Sequence, residues 1–210
     1  MAVIATPTTT NDHAQSSPAS TLASIADPGP LGLGAFALTT FCLSVFNANI
    51  IGNQALSAVV LPVALFYGGI AQVLAGMWEF KKGNTFGAVA FTSYGSFWLA
   101  FAALVKFVVP GLPAAQAHEA VGLFLLAWTI FTVYMLVASL RTNGLLVGVF
   151  AVLAITFLLL TIGAFGNHAQ IAKAGGWAGL VTAALAWYGS MAGVTNATWG
   201  RTVLPTWPVK

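Results

Sequence analysis

Ionisable side chains are so scarce in this 210-residue chain that each can be weighed singly: four Asp or Glu, seven Lys or Arg, three His and one Cys. Glu79 draws attention first. It ends a series, Gly68, Gln72, Gly76 and Glu79, whose spacing of four, four and three repeats on one face of a helix. A carboxyl group at membrane depth marks a proton or solute pathway by default. Lys81 and Lys82 stand next to it, so an interfacial ion pair is the plain alternative. Glu119 follows His118 at the start of an apolar run, where an acid favours the helix dipole. His13 and His168 have no metal-ligand spacing with another His or acid. Cys42 lies inside an apolar run and reads as a small packing residue, since one Cys forms neither an intrachain disulfide nor a cysteine metal site. No phosphate-binding loop, dinucleotide fingerprint or zinc-protease motif occurs, so no metal, cofactor or catalytic residue is expected.

These residues need a scaffold, and composition says which. Apolar residues make up 59% of the chain and charged residues 5%, against about 25% charged in a soluble domain. Eleven charges cannot cover a soluble surface of this size, whereas a lipid-facing surface should be apolar. The sequence predicts an all-α membrane protein of six spanning helices, each needing about 20 apolar residues. The expected spans are Leu31–Asn49, Ser57–Phe80, Thr85–Val108, His118–Leu140, Leu145–Phe165 and Gly175–Thr198. Asp27-Pro28-Gly29-Pro30 is a helix-start signal, and Gly83-Asn84, Pro110-Gly111 and Asn143-Gly144 are stops. Residues 1–26, rich in Thr, Ser, Ala and Asn, read as a disordered tail without the pattern of a signal peptide. Residues 27–200 form the transmembrane domain and 201–210 a second tail. Asn196-Ala197-Thr198 matches a glycosylation pattern but falls at the inner end of the last helix.

Six spans place both termini on one side. That side carries Lys81, Lys82, Arg141, Arg201 and Lys210, the other Lys106 and Lys173, so the positive-inside rule puts the termini in the cytoplasm. The basic residues form no cluster, which argues against nucleic-acid binding. A faint likeness between Gly34–Phe41 and Gly87–Tyr94 hints at repeated hairpins. Small and polar residues mark helix faces turned toward protein rather than lipid. Besides the Gly68–Glu79 face, such stripes run through Phe36, Thr40, Leu43 and Asn47, through Thr92, Ser93 and Ser96 beside Tyr94, and through Thr182, Ala186, Gly189, Gly193 and Asn196. Four of them in so short a chain point to a shared polar seam rather than to packing alone. Trp177, Trp199 and Trp207 read as interfacial anchors.

Several blocks resemble a known family. Asp27-Pro28-Gly29-Pro30-Leu31-Gly32-Leu33 is similar to the Asn-Pro-Ala-Pro-Leu-Gly-Leu signature of the acetate uptake transporter family, the succinate–acetate permeases. Phe66-Tyr67-Gly68-Gly69-Ile70-Ala71-Gln72, Glu79 to Gly87 and Phe91-Thr92-Ser93-Tyr94-Gly95-Ser96-Phe97-Trp98 resemble its central block, and Gly176–Leu180 with Gly200–Pro205 its C-terminal block. The likeness runs in order from about residue 27 to 205. It departs at the signature itself, where Asp27 replaces Asn and Gly29 replaces Ala; the carboxylate there either alters anion access or caps the helix.

The resemblance implies a homo-hexamer in the plasma membrane (the cell inner membrane of a bacterium), each protomer passing acetate or a related carboxylate such as succinate. It implies an apolar constriction at Phe36, Tyr94 and Leu153, and a pore-side position at Ala186 tied to substrate choice. The N-terminal motif is Asp27, Pro28, Pro30, Leu31 and Gly32. A bare carboxylate in an apolar ring would lose its hydration at a cost of several kcal/mol, so protons should travel with it, as symport or as the free acid. Thr40, Gln72 and Ser93 are the expected carboxyl-holding groups, with the Tyr94 hydroxyl at the constriction. One rival is a channel for a neutral solute such as urea or a short amide. Another, an intramembrane serine protease, lacks its Ser motif and an intramembrane His; a third is a receptor role without flux.

Overall fold

The computed structural model describes residues 25–208, so residues 1–24 of the expected tail, with His13, and the last two residues lie outside it. Among the described residues six long helices account for nearly all of the chain: α1 Gly29–Asn47, α2 Gln54–Lys82, α3 Thr85–Gly111, α4 Ala117–Ser139, α5 Gly144–Phe165 and α6 Ala169–Trp199. The first five are long and apolar enough to cross a membrane. The sixth, at 31 residues, is longer but less apolar, because Gly, Ala and Thr replace the larger aliphatic residues where it packs between α1 and α5.

The helices close a ring in the order α1–α6–α5–α4–α3–α2, with α2 returning to α1. The ring is thinnest between α3 and α4. Outward faces are apolar at helical spacing: Leu123, Ile130, Val133 and Val137 on α4, and Phe66, Ile70, Leu74 and Met77 on α2, are all exposed. Such a surface suits lipid or a neighbouring protein, as the composition requires. The inward faces hold a cluster that includes Phe36, Tyr94, Phe97, Trp98, Phe150, Leu153 and Phe157.

Helix ends follow local chemistry. Pro30 sits in the first turn of α1, where its missing N–H costs nothing. Asp27 Oδ1 accepts the Gly29 N–H at 3.0 Å, so the predicted capping role of Asp27 is present as a turn across two residues. α2 is irregular. It opens as a 3-10 segment, Gln54–Val59, and passes through a π segment, Phe66–Ala71, between its two α-helical parts. Pro62, with no N–H to donate, lies between these changes of ladder. Gly83 then adopts a left-handed backbone (φ 77°), the conformation that favours glycine at a helix end.

One expected helix bound is corrected. α6 starts at Ala169 rather than Gly175, because Ala169 to Ala174 are mostly good helix formers. Gly175 and Gly176 are packing positions inside it: a Cβ on Gly176 would strike the backbone of Asn47 and Ala48. Residues 201–208, within the expected second tail, are hydrogen-bonded to the bundle. Asn196 Oδ1 accepts the Val203 and Leu204 N–H groups at 2.7 and 2.9 Å, and Gly144 N–H donates to the Trp207 carbonyl at 2.7 Å. The stretch folds back across the starts of α5 and the end of α6.

Candidate functional site

Two cavities lie inside the ring, of about 450 and 300 Å³. The larger opens on the side of Asp27, Lys82, Asn84, Asn143 and Thr206 and runs inward past Glu79 and Gln72 to Tyr94. The smaller lies toward the other ends of the helices, among Asn47, Asn167 and His168, and reaches Thr40, Phe97 and Trp98. Phe36 and Leu153 line both. They form the wall where the cavities meet, and Tyr94 stands against Phe36 with ring centroids 5.6 Å apart. All three side chains are buried.

The larger cavity has a built mouth. Lys82 Nζ donates to Asp27 Oδ1 at 2.8 Å, tying the end of α2 to the chain just before α1. Glu79 is 1% exposed and the one acidic or basic side chain among the described residues that is buried. Its Oε2 accepts from Asn84 Nδ2 at 2.8 Å, while Asn84 Oδ1 caps α3 by accepting the Gly87 N–H at 3.1 Å. A single Asn thus starts one helix and fixes the acid at the end of the previous one. The alternative of a Glu79 ion pair with Lys81 or Lys82 is not what the structure has; Lys82 is taken by Asp27, and Glu79 faces the cavity with a neutral partner. Deeper in, Gln72 is 1% exposed and its Oε1 has no hydrogen-bond partner.

The smaller cavity has no Asp, Glu, Lys or Arg in its lining. Its polar groups are hydroxyls, amides, the Trp98 indole and the His168 imidazole, set in aromatic walls of Phe97, Trp98, Phe101, Phe124 and Phe157. Two of them, Thr40 Oγ1 and Trp98 Nε1, are buried without a partner. An unpaired buried polar atom costs about 1–3 kcal/mol. Such atoms facing a cavity are offset when water or a polar solute occupies it.

The predicted stripes divide accordingly. Phe36, Thr40, Leu43 and Asn47 of α1 all line a cavity. On α2, Gln72 and Glu79 face the larger cavity, whereas Gly76 lies against Thr92 and Gly68 against Thr39. A Cβ on Gly95 would come within 2.8 Å of Val73 N and 2.9 Å of the Gly69 carbonyl oxygen, so α2 and α3 meet nearly backbone to backbone. On α6, Gly189, Gly193 and Asn196 line the larger cavity, and Thr182 bonds to Thr156 at 3.2 Å. Ala186 is fully buried in the cluster with Phe36, Tyr94 and Leu153 and lines neither cavity. Ser93 is half-buried and also lines neither, because it shares no face with Tyr94 one residue on. Within the N-terminal motif, Asp27 and Pro30 line the mouth, Gly32 packs against the Phe91 ring and Leu31 is exposed. Pro28 is the residue from which α1 starts.

Sequence reasoning missed Trp98, Asn84, Asn143 and Thr206 as cavity residues. Asn84 and Asn143 were legible as helix stops, and both do cap the next helix; only the bundle shows that they also face a cavity. Among the described residues no group of three or more His, Cys, Asp or Glu is placed to hold a metal.

Comparison with known proteins converges on one family. Residues 10–210 match the model of the GPR1/FUN34/yaaH family. The chain is 44% identical over 181 residues to the succinate-acetate/proton symporter SatP of Escherichia coli (strain K12), covering 86% of this chain and 95% of that protein. It is 42% identical over 200 residues to acetate permease A of Emericella nidulans, covering 86% of this chain and 65% of that one. Among solved structures, that of the bacterial acetate channel SatP superposes with a TM-score of 0.80 at 42% identity, covering 87% of this chain and 99% of that chain.

Proposed function

This chain belongs to the GPR1/FUN34/yaaH family, and we propose that it carries acetate and related short-chain carboxylates across a membrane by a path within each protomer. The observation that carries this reading is the meeting of two buried cavities at Phe36 and Leu153, with Tyr94 beside them. In this reading those three side chains are the constriction. Ala186, fully buried in the same cluster, sets its width from behind.

The chemistry of the lining suggests how a small acid would pass. Asp27 and Lys82 neutralise each other at the mouth, so among the described residues of its lining a carboxylate meets no free cation. Gln72 on one side of the constriction and Thr40 on the other each keep an unpaired oxygen buried. The Thr40 hydroxyl can donate to a carboxylate; the Gln72 carbonyl oxygen can accept only from a protonated acid, while the Gln72 NH2 group can donate to a carboxylate. Between them the wall is apolar, and stripping an ionised carboxylate of water there costs several kcal/mol. The solute therefore crosses with a proton, and Glu79 is the buried ionisable group on the path best placed to exchange one.

We further propose that residues 27–200 span a plasma membrane or bacterial inner membrane with both termini cytoplasmic, on the charge bias of the loops, and that protomers assemble as a homo-hexamer. No enzymatic step is proposed. Labelled acetate uptake into vesicles of reconstituted protein tests the reading. An inward proton gradient should raise uptake, and excess urea should leave it unchanged. Uptake that follows voltage and ignores the pH gradient would remove the proton from the mechanism; inhibition by urea would favour the neutral-solute channel.

A further inference from the structure

Tyr94 is the one polar side chain of the three at the constriction, and the structure settles where its hydroxyl points. Tyr94 Oη lies 2.9 Å from Thr132 Oγ1 on α4. Thr132 is itself fully buried, and its single hydroxyl proton is already given to the Trp128 carbonyl one turn earlier, at 2.7 Å. A hydroxyl has one proton to donate and lone pairs left to accept with. The remaining bond must therefore run from Tyr94 O–H to Thr132. That turns the hydroxyl away from the cavities, neither of which Thr132 lines, and leaves the tyrosine ring facing the path. On this reading the Tyr94 hydroxyl serves as a tether to α4 rather than as the carboxyl-holding group expected of it.

This bond is also the sole side-chain hydrogen bond between α3 and α4 among the described residues, and it crosses the thinnest seam of the ring. The other contacts of the Tyr94 ring with α4, to Trp128 at 6.3 Å and Phe131 at 5.2 Å between centroids, are aromatic and involve no hydrogen bond of the hydroxyl. We propose that Thr132 is the positioning residue of the constriction: its hydroxyl, locked by the Trp128 carbonyl, tethers Tyr94 so that an apolar ring face rather than a phenol closes the gap beside Phe36 and Leu153. Loss of the tether releases a buried phenol toward the larger cavity, where water can satisfy it. The gap then becomes more polar and less tightly defined, and larger or more polar acids pass.

The inference rests on the transport reading, and the test separates the two. Uptake of labelled acetate and of labelled lactate is measured in parallel, per amount of monodisperse reconstituted protein. Thr132→Val keeps the shape and removes the acceptor, and Thr132→Ala removes it with less bulk, should the valine variant not fold. Both should raise the lactate-to-acetate ratio about threefold to tenfold, the effect of losing one hydrogen bond. Thr132→Ser, which keeps the hydroxyl, should restore the parent ratio. Tyr94→Phe cuts the same tether from the other end, so adding Thr132→Val to it should change the ratio no further. A parent ratio in Thr132→Val and Thr132→Ala overturns the inference, as does a Ser variant altered as much as they are, or a full Val effect in the Tyr94→Phe background. Absence of acetate uptake by the unaltered protein overturns the transport reading instead.

Discussion

The two cavities differ in kind, although α1, α3, α5 and α6 wall both; α2 is added at the larger and α4 at the smaller. The larger is bounded at its mouth by Asp27 and Lys82 and by the amide or hydroxyl side chains of Asn84, Asn143 and Thr206, with Glu79 just inside. The smaller has no Asp, Glu, Lys or Arg in its lining and is walled by aromatic rings, with single polar atoms left unpaired. The contrast teaches where each step of carriage would fall. A charged mouth can select and neutralise, because water still screens its pairs. An aromatic chamber with no Asp, Glu, Lys or Arg in its lining holds an ion poorly, so a solute that crosses it is best neutral or closely hydrogen-bonded. The division falls at Phe36 and Leu153.

The sharpest way to break that division is at the wall itself. Leu153→Ala removes most of a side chain that lines both cavities. It should raise lactate uptake relative to acetate by about tenfold or more, the discrimination a few methylenes supply. Phe36→Ala should act in the same direction, and unchanged selectivity in both would mean that the cavities do not communicate there. A smaller effect should set the two sides apart. Glu79→Gln keeps the bond to Asn84 but cannot ionise, and should flatten the dependence of acetate uptake on the imposed pH gradient. Thr40→Val, across the wall, should instead raise the acetate KM about threefold to tenfold and leave the pH dependence intact. Transport assays at several gradients distinguish them, and equal pH responses in both variants would erase the proposed asymmetry.

Weaker still should be the change at the mouth. Lys82 and Asp27 are 39% and 53% exposed, and an exposed pair contributes about 0–1 kcal/mol. Asp27→Asn should leave thermal stability in detergent nearly unchanged, while freeing the lysine to attract anions. Its acetate KM should fall less than about fivefold, and the fall should vanish in high salt. A salt-independent change would mean that Asp27 acts through the Gly29 N–H at the helix start instead. The smallest effect serves as a control. Thr161→Val removes the 2.9 Å bond to Thr129 between α4 and α5, a pair that lines neither cavity. It should cost about 0.6 kcal/mol, read as a small drop in melting temperature, with acetate uptake unaltered.

Much of this was open to inspection in the residues. Eleven charges in 210 residues leave lipid as the only solvent the surface suits. In lipid the backbone must satisfy its own hydrogen bonds, so helices follow from composition alone. The face of α1 was also legible, since Phe36, Thr40, Leu43 and Asn47 are bound together by the helical period whatever surrounds them. Periodicity alone did not tell a cavity-lining position from a packing one. Gln72 and Gly76 sit on one predicted stripe, yet the first faces a cavity and the second meets Thr92. The two glycines at 175 and 176 resembled a helix start until α1 was seen to press on them.

Tertiary structure alone decided the partners. Lys82 is three residues from Glu79 in the chain but pairs with Asp27, fifty-five residues away. Tyr94 turns its hydroxyl to Thr132 because α4 passes behind it, which no reading of the α3 sequence contains. Composition and period are properties of each residue and its near neighbours, so the chain carries them openly. Which polar atom meets which, and which is left unpaired toward a cavity, depends on the depth and rotation of helices packed side by side, and that is fixed only when all six close the ring.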